Sequence, residues 1–149
     1  MDHVAIMNPA WRLIPKIFSG EKSIESRWYQ KRYLPWNRIS EGDIIYFKDA
    51  GKPITLEAEV SNIIQHEGLN SERIAEILQE YGKNLGISDS EMPSFRESLK
   101  NKKYCILIFL KNPRKIESFR INKKGYAIGS AWICVDDVRK IRSNLQVAD

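Results

Sequence analysis

Residues 20–28 read Gly20-Glu21-Lys22-Ser23-Ile24-Glu25-Ser26-Arg27-Trp28, and the fold turns on how this stretch is read. A glycine placed to end a helix is followed by Ser23 to Tyr29, which alternates with the period of a strand. On a strand, Glu25 and Arg27 project from one face. Ile24, Ser26 and Trp28 project from the other, which makes Trp28 a candidate for the core rather than for a ligand. Lys22 precedes the alternation, so its direction stays open. Leaning over the Glu25 face, it would join two other ionisable groups close enough to shift one another's pKa values. A solvated salt-bridge ladder worth at most about 1 kcal/mol is the alternative these residues leave open.

Upstream, His3 to Met7 has the look of a short strand, and Asn8-Pro9 of an N-cap followed by proline at the first helical position. Leu13, Ile14, Ile17 and Phe18 give a short helix ended by Gly20, in which Pro15 marks either a kink or the true start. Downstream, the turn Ser40-Glu41-Gly42 introduces a strand over Asp43–Lys48, and residues 49–53 form a hairpin turn. In the strand from Ile54, the alternation places Leu56, Ala58, Val60, Asn62 and Ile64 inward. Asn70 or Ser71 caps a helix with Ile74, Ile77, Leu78, Tyr81 and Leu85 on its apolar face, closed by Gly86. A second short helix covers Ser94–Lys100. Tyr104–Leu110 is apolar on both faces, as a central strand is; Ile116–Ile121 and Ala131–Val135 follow as strands, and Asp136 caps a last helical turn through Arg142. Helices set between antiparallel strands indicate an α+β barrel rather than a βαβ sheet.

Beyond Trp28 the chain interleaves aromatics with cations: Tyr29, Lys31, Arg32, Tyr33, Trp36 and Arg38. Bases stack on aromatic faces while cations hold phosphates, so this is the composition of a nucleic-acid groove; for Tyr29, Tyr33 and Trp36 a core role is the alternative. Net charge is +5 with a pI near 9.2, and the charge is segregated. Residues 22–38 hold five cations against Glu25, residues 111–124 hold six against Glu117, and residues 64–101 carry seven carboxylates to four cations. The turns expected at residues 112–115 and 122–125 either extend a phosphate track or are solvated loops. Gly129-Ser130-Ala131-Trp132 puts small residues before an aromatic, which lets a ligand approach the backbone; it is not a Gly-x-Ser-x-Gly elbow, and Ser130 is not read as a nucleophile.

The 149 residues suit one domain, residues 1–149, and 42% hydrophobic with 29% charged residues is a globular composition. No apolar run approaches the ~20 residues of a membrane helix, and the start lacks a signal peptide's pattern, so a cytoplasmic protein with no membrane partner is expected. Cys105 and Cys134 lie in apolar segments without a CxxC partner and read as reduced, buried thiols. With only His3 and His66 to join them, no metal site and no cofactor is expected.

The pattern Gly20-x-Lys22-x-x-Glu25-x-Arg27, after a first strand and short helix and before Gly42-Asp43 and a strand, resembles the ASCH family of the PUA-like superfamily. The likeness runs to about residue 135. It implies a small, mostly antiparallel β-barrel with a short helix after the first strand, and residues from about 70 to 101 look like a helical insertion. It further implies an RNA, nucleoside or nucleotide ligand in a cleft between that helix and the barrel, lined by Lys22, Glu25 and Arg27. Lys22 and Arg27 would meet anionic or carbonyl groups, and Glu25 would accept from a base amine or sugar hydroxyl.

Two other functions stay open. An ASCH group that hydrolyses N4-acetylcytidine is similar at Lys22 but has threonine at the position of Glu25; there, or in a ribonuclease of the kind known in this family, Lys22 and Glu25 would be catalytic. A non-catalytic adaptor would use the basic surface to bind an acidic protein.

Overall fold

β1 (Asp2–Met7) is a short strand that the sheet surrounds. It pairs in parallel with β3 (Ile44–Asp49) and antiparallel with β6 (Trp132–Val135), so Val4, Ala5 and even His3 are buried. β2 (Ile24–Tyr29), β4 (Ile54–Glu67) and β5 (Tyr104–Phe119) complete a six-stranded mixed sheet of order β2-β5-β4-β3-β1-β6. All its pairs but β1·β3 are antiparallel. The computed structural model describes residues 1–126 and 130–143. The sheet curls into a half-barrel with β2 and β6 at its edges, the α+β architecture expected. Among the described residues, no helix is long and apolar enough to cross a membrane.

The segment after β1 is two pieces rather than one helix. Asn8 caps a 3-10 turn, Pro9–Trp11, by accepting from the Ala10 N–H; Arg12 turns left-handed, and α1 (Leu13–Ser19) starts afresh. Pro15 is the third residue of α1, where a backbone N–H has no intrahelical acceptor, so it causes no break. Gly20, at φ 86°, closes α1 and turns the chain into β2.

β4 and β5 form a long antiparallel pair with irregularities at Ile54/Leu56, Glu57/Glu59 and Val60/Asn62. The last reverses the facing of the remainder of β4: Asn62 is exposed, contrary to the inward position expected, and Ile63 packs with Val60 while Ile64 joins the opposite cluster. The expected turn at residues 112–115 is instead part of one continuous β5. Pro113, which has no N–H for the ladder, falls beside the Glu57/Glu59 irregularity, with Asn112 at φ 52°.

Between β4 and β5 lie α2 (Ser71–Tyr81), a 3-10 turn over Gly82–Asn84, and α3 (Met92–Ser98). Asn70 is the cap, accepting from the Arg73 N–H. α2 ends before Gly86, and α3 starts two residues ahead of expectation, with Pro93 in its first turn. The final 3-10 turn, Val138–Ile141, is capped by Asp137 rather than Asp136.

Among the described residues, buried hydrophobic side chains form three clusters. One, around Phe47, Leu56, Ile106 and Ile108, fills the curl under α1; a second packs α2 against Ile24, Trp28, Cys105 and Leu107; a third joins Val4, Ile54 and Ile133 to the final turn.

Candidate functional site

The Gly20–Trp28 stretch brings three ionisable groups together. Lys22 is 2% exposed, and its ammonium donates to the Ile24 and Leu85 carbonyls, both at 2.7 Å, with Glu25 Oε1 at 3.4 Å. Glu25 is 3% exposed; Oε1 accepts from the Ser26 N–H and Oε2 lies 3.3 Å from Arg27 Nη2. Arg27 is partly open. Nη1 donates to the Ala131 carbonyl, Nη2 meets Met7 Sδ, and the guanidinium lies 5.0 Å over the ring of Trp132. It thereby spans from β2 to the residue before β6, the two edges of the half-barrel.

Electrostatics keeps the trio charged. Burial alone would push the Glu25 carboxyl up, but Lys22 and Arg27 together hold it below the usual carboxylate range. Burial lowers the Lys22 ammonium against the opposing pull of Glu25. Two carbonyl acceptors and a carboxylate around one Nζ still favour the protonated form.

Glu25 and Arg27 face a cleft of about 420 Å³ between α1 and the β2 end of the sheet. Met7, Asn8, Trp11 and Leu13 form one wall; Trp28, Tyr29, Leu99 and Lys102 form the other. Of the nine expected ligand contacts, Glu25, Arg27 and Tyr29 line it. Lys22 lies behind them with its hydrogens given to protein acceptors. Lys31, Arg32, Tyr33, Trp36 and Arg38 are outside the cleft, on the loop that continues from β2.

That loop is a rim. The Tyr29 hydroxyl donates to the Leu34 carbonyl, burial raises its pKa, and its ring meets that of Tyr33 edge-on at 5.6 Å. Tyr33 is 56% exposed, whereas Trp36 is half-buried edge-on to Tyr104. Arg32 covers both Trp36 and Tyr104 and pairs with Glu67, so it is a clamp on the loop as it stands. Lys31 and Arg38 are exposed.

The Gly42-Asp43 element reaches the cleft through a buried relay. Asp43 accepts from the Ser40 N–H and from His3 Nε2 at 2.8 Å, and His3 Nδ1 accepts from Trp132 Nε1 at 3.0 Å. The indole can only donate, so the proton of His3 resides on Nε2. Trp132 in turn carries Arg27 on its face. Burial lowers the pKa of His3 against the pull of Asp43, and pushes the neighbouring Cys134 thiol up to about 11. Sequence reasoning passed over Met7, Trp11, Leu99, Lys102 and the role of Trp132. The one signal available was an aromatic after small residues at 130–132, since contacts across more than a hundred positions leave no local pattern. Ser130 donates to the Trp132 carbonyl; Gly129 lies outside the described residues.

A curled mixed sheet, with a helix after its first strand and a cleft between the two, defines an α+β half-barrel domain. Within that class, two crystal structures from Zymomonas mobilis are similar to this chain. A tyrosine-to-phenylalanine variant of its ASCH protein is 15% identical, with 93% of each chain covered and a TM-score of 0.68. The unsubstituted ASCH protein is 15% identical, with 95% of this chain and 96% of that one covered and a TM-score of 0.66. No family profile matches the sequence, and no curated protein matches it. The fold is that of the ASCH domain.

Proposed function

We propose that this protein binds RNA or a nucleotide, holding one base or nucleoside in the cleft between α1 and β2. The observation that carries this reading is the pairing of a buried, ionised Glu25 with a partly open Arg27 on the floor of an aromatic-walled hollow. A guanidinium has five N–H donors, and its contacts with Ala131, Met7, Glu25 and Tyr29 do not use them all, which would leave a donor for a ligand carbonyl or phosphate. Among the described residues Glu25 Oε2 accepts from Arg27, and its other lone pair would accept from a base amine or sugar hydroxyl. Lys22 acts here as the support that keeps Glu25 ionised. Tyr33, exposed beside Tyr29, offers the next base a stacking face, with Lys31 and Arg38 for phosphates.

The reading is tested by titrating a single-stranded oligoribonucleotide at rising salt. Affinity is expected to fall steeply with salt, as counterion release requires. Arg27→Gln and Tyr33→Ala are each expected to weaken binding at least five-fold, since a stacked base contributes about 1–3 kcal/mol. No binding at low salt would refute the proposal. Incubation with N4-acetylcytidine and with RNA completes the test: turnover that Glu25→Gln abolishes would replace binding by hydrolysis. In this geometry Lys22 could serve as a base only by giving up its carbonyl contacts.

A further inference from the structure

α1 borders a second hollow, of about 450 Å³, which among the described residues shares no lining side chain with the Arg27 cleft. Leu13 belongs to the cleft, whereas Ile14, Pro15 and Phe18 line this hollow together with Leu56 and Ile116. Mostly apolar walls with a few polar groups are the ordinary build of a ligand site, and the volume lies within the range of about 300–1,000 Å³ that such sites span.

The polar groups here are not committed to the fold. Asp49, the last residue of β3, lines the hollow, and its Oδ1 is buried without a hydrogen-bond donor among the described residues. Burial raises the pKa of its carboxyl, against the pull of Lys48. The terminal torsion of an aspartate is soft and close to two-fold, so either oxygen can turn to meet a donor in the hollow. Phe18 is 45% exposed, which leaves much of its ring to solvent, and the Lys115 ammonium lies 4.6 Å from the ring centre. Two neighbouring cations of β5, Lys111 and Arg114, are paired with Glu59 and Glu57; Lys115, which lines the hollow, has no carboxylate partner among the described residues. The complement of these groups is a flat ring that carries an N–H donor and an anion. A fatty acyl chain would fill the walls and leave Asp49 unmet, and an acidic peptide would satisfy Lys115 but be repelled by Asp49.

We propose that this hollow is a second base-binding site, in which a nucleobase packs against Phe18, donates to Asp49 and places its phosphate at Lys115, so that the ligand is an RNA strand with bases in both hollows beside α1. A carboxylate only accepts, as the N–H edge of a base requires, and an exposed aromatic beside a free cation is the pairing that single-stranded chains use. The nature of the ligand rests on the function proposed above; the hollow, its unpaired carboxylate and its cation do not.

The test is the fluorescence anisotropy of a labelled hexaadenylate with the wild type, Phe18→Ala, Asp49→Ala and Arg27→Gln, each checked by its unfolding midpoint. Phe18→Ala and Asp49→Ala are each expected to weaken binding at least five-fold, the low end of what one stacked base contributes. Neither is expected to unfold the chain, since Phe18 is largely exposed and the Asp49 oxygen is unpaired. Lys115→Gln is expected to lower the slope of log affinity against log salt by about 0.7, the share of one phosphate on a single strand. Amide NMR spectra on adding adenosine monophosphate give a readout that needs no variant: shifts are expected at residues 14–18, 49 and 55 as well as at 25–29. Hexaadenylate binding that Arg27→Gln weakens, and that Phe18→Ala and Asp49→Ala leave unchanged, overturns the second site and leaves the cleft reading standing. Shifts confined to residues 25–29 overturn it as well. Binding that depends on Phe18 and Asp49 but not on Arg27 upholds the second site and refutes the cleft.

Discussion

Replacing Lys22 by methionine tests whether the Lys22–Glu25–Arg27 trio is built as described. Methionine fills a similar volume, so the change removes charge and hydrogen bonds more than packing. Hydrogen bonds from a charged donor contribute about 1.5–3 kcal/mol each, and Lys22 makes two to carbonyls. Removing one partner of a buried ion pair costs about 3–5 kcal/mol, a figure that overlaps with the first because the same ammonium is lost. Arg27 remains beside Glu25, which puts the expected loss at about 3–4 kcal/mol. For a chain of this length that corresponds to roughly 10 °C in the unfolding midpoint. Urea denaturation at pH 7 measures it, and Lys22→Met with Glu25→Gln is expected to recover about half. The pH dependence sharpens the test. In the wild type the folded Glu25 pKa lies below its unfolded value, so its contribution is full above about pH 4.5 and is lost as pH falls through the folded value. Without Lys22 the upward push of burial prevails. The folded value then exceeds the unfolded one, and the penalty at pH 7 is relieved on acidification. The gap between variant and wild type should therefore narrow from pH 7 to pH 4. A loss below about 1 kcal/mol, the size of an exposed salt bridge, or a gap that widens in acid, would refute the account.

Three further outcomes rest on the same geometry. Gly86 has φ 81°, and a Cβ there would meet Lys22 at 3.1 Å and Leu13 at 3.3 Å; Gly86→Ala is expected to lose about 2–4 kcal/mol in urea denaturation, and a loss under about 0.5 would show that the segment yields freely. Burial holds the folded His3 pKa below 6.5, so stability is full above that value and falls as the pH drops through it; His3→Gln should flatten this slope, and an unchanged slope would place its origin elsewhere. Burial raises both thiols, Cys134 to about 11, so the native chain at pH 8 should resist a disulfide reagent that labels two thiols in urea; rapid labelling of the folded protein would contradict the burial.

What the sequence disclosed was what neighbours along the chain decide. The alternation at residues 23–29 puts Glu25 and Arg27 on one face and Trp28 in the second cluster, because strand geometry is local. The apolar stripe Ile74, Ile77, Leu78 and a cap at Asn70 or Ser71 emerged for the same reason, and Asn70 is the one that caps. The irregularities in β4 and β5 did not, since they depend on two strands failing to match across a ladder; Asn62 and Pro113 sit at those mismatches and so depart from the local pattern. Lys22 preceded the alternation, and the Leu85 carbonyl, returning from beyond the α2 segment, joins Ile24 and Glu25 in fixing where its ammonium points. The Asp43–His3–Trp132–Arg27 relay joins residues from opposite ends of the chain, beyond any pattern a window could show.

β5 supplies Ile106 and Ile108 to one cluster, Cys105 and Leu107 to another, and Ile116 and Phe119 to the third. A single cut inside it would part residues that all three of the clusters described above share. If the chain were divided into complementing fragments, the permissive junction would be the exposed stretch Asp89–Glu91, which leaves that strand whole in the second piece.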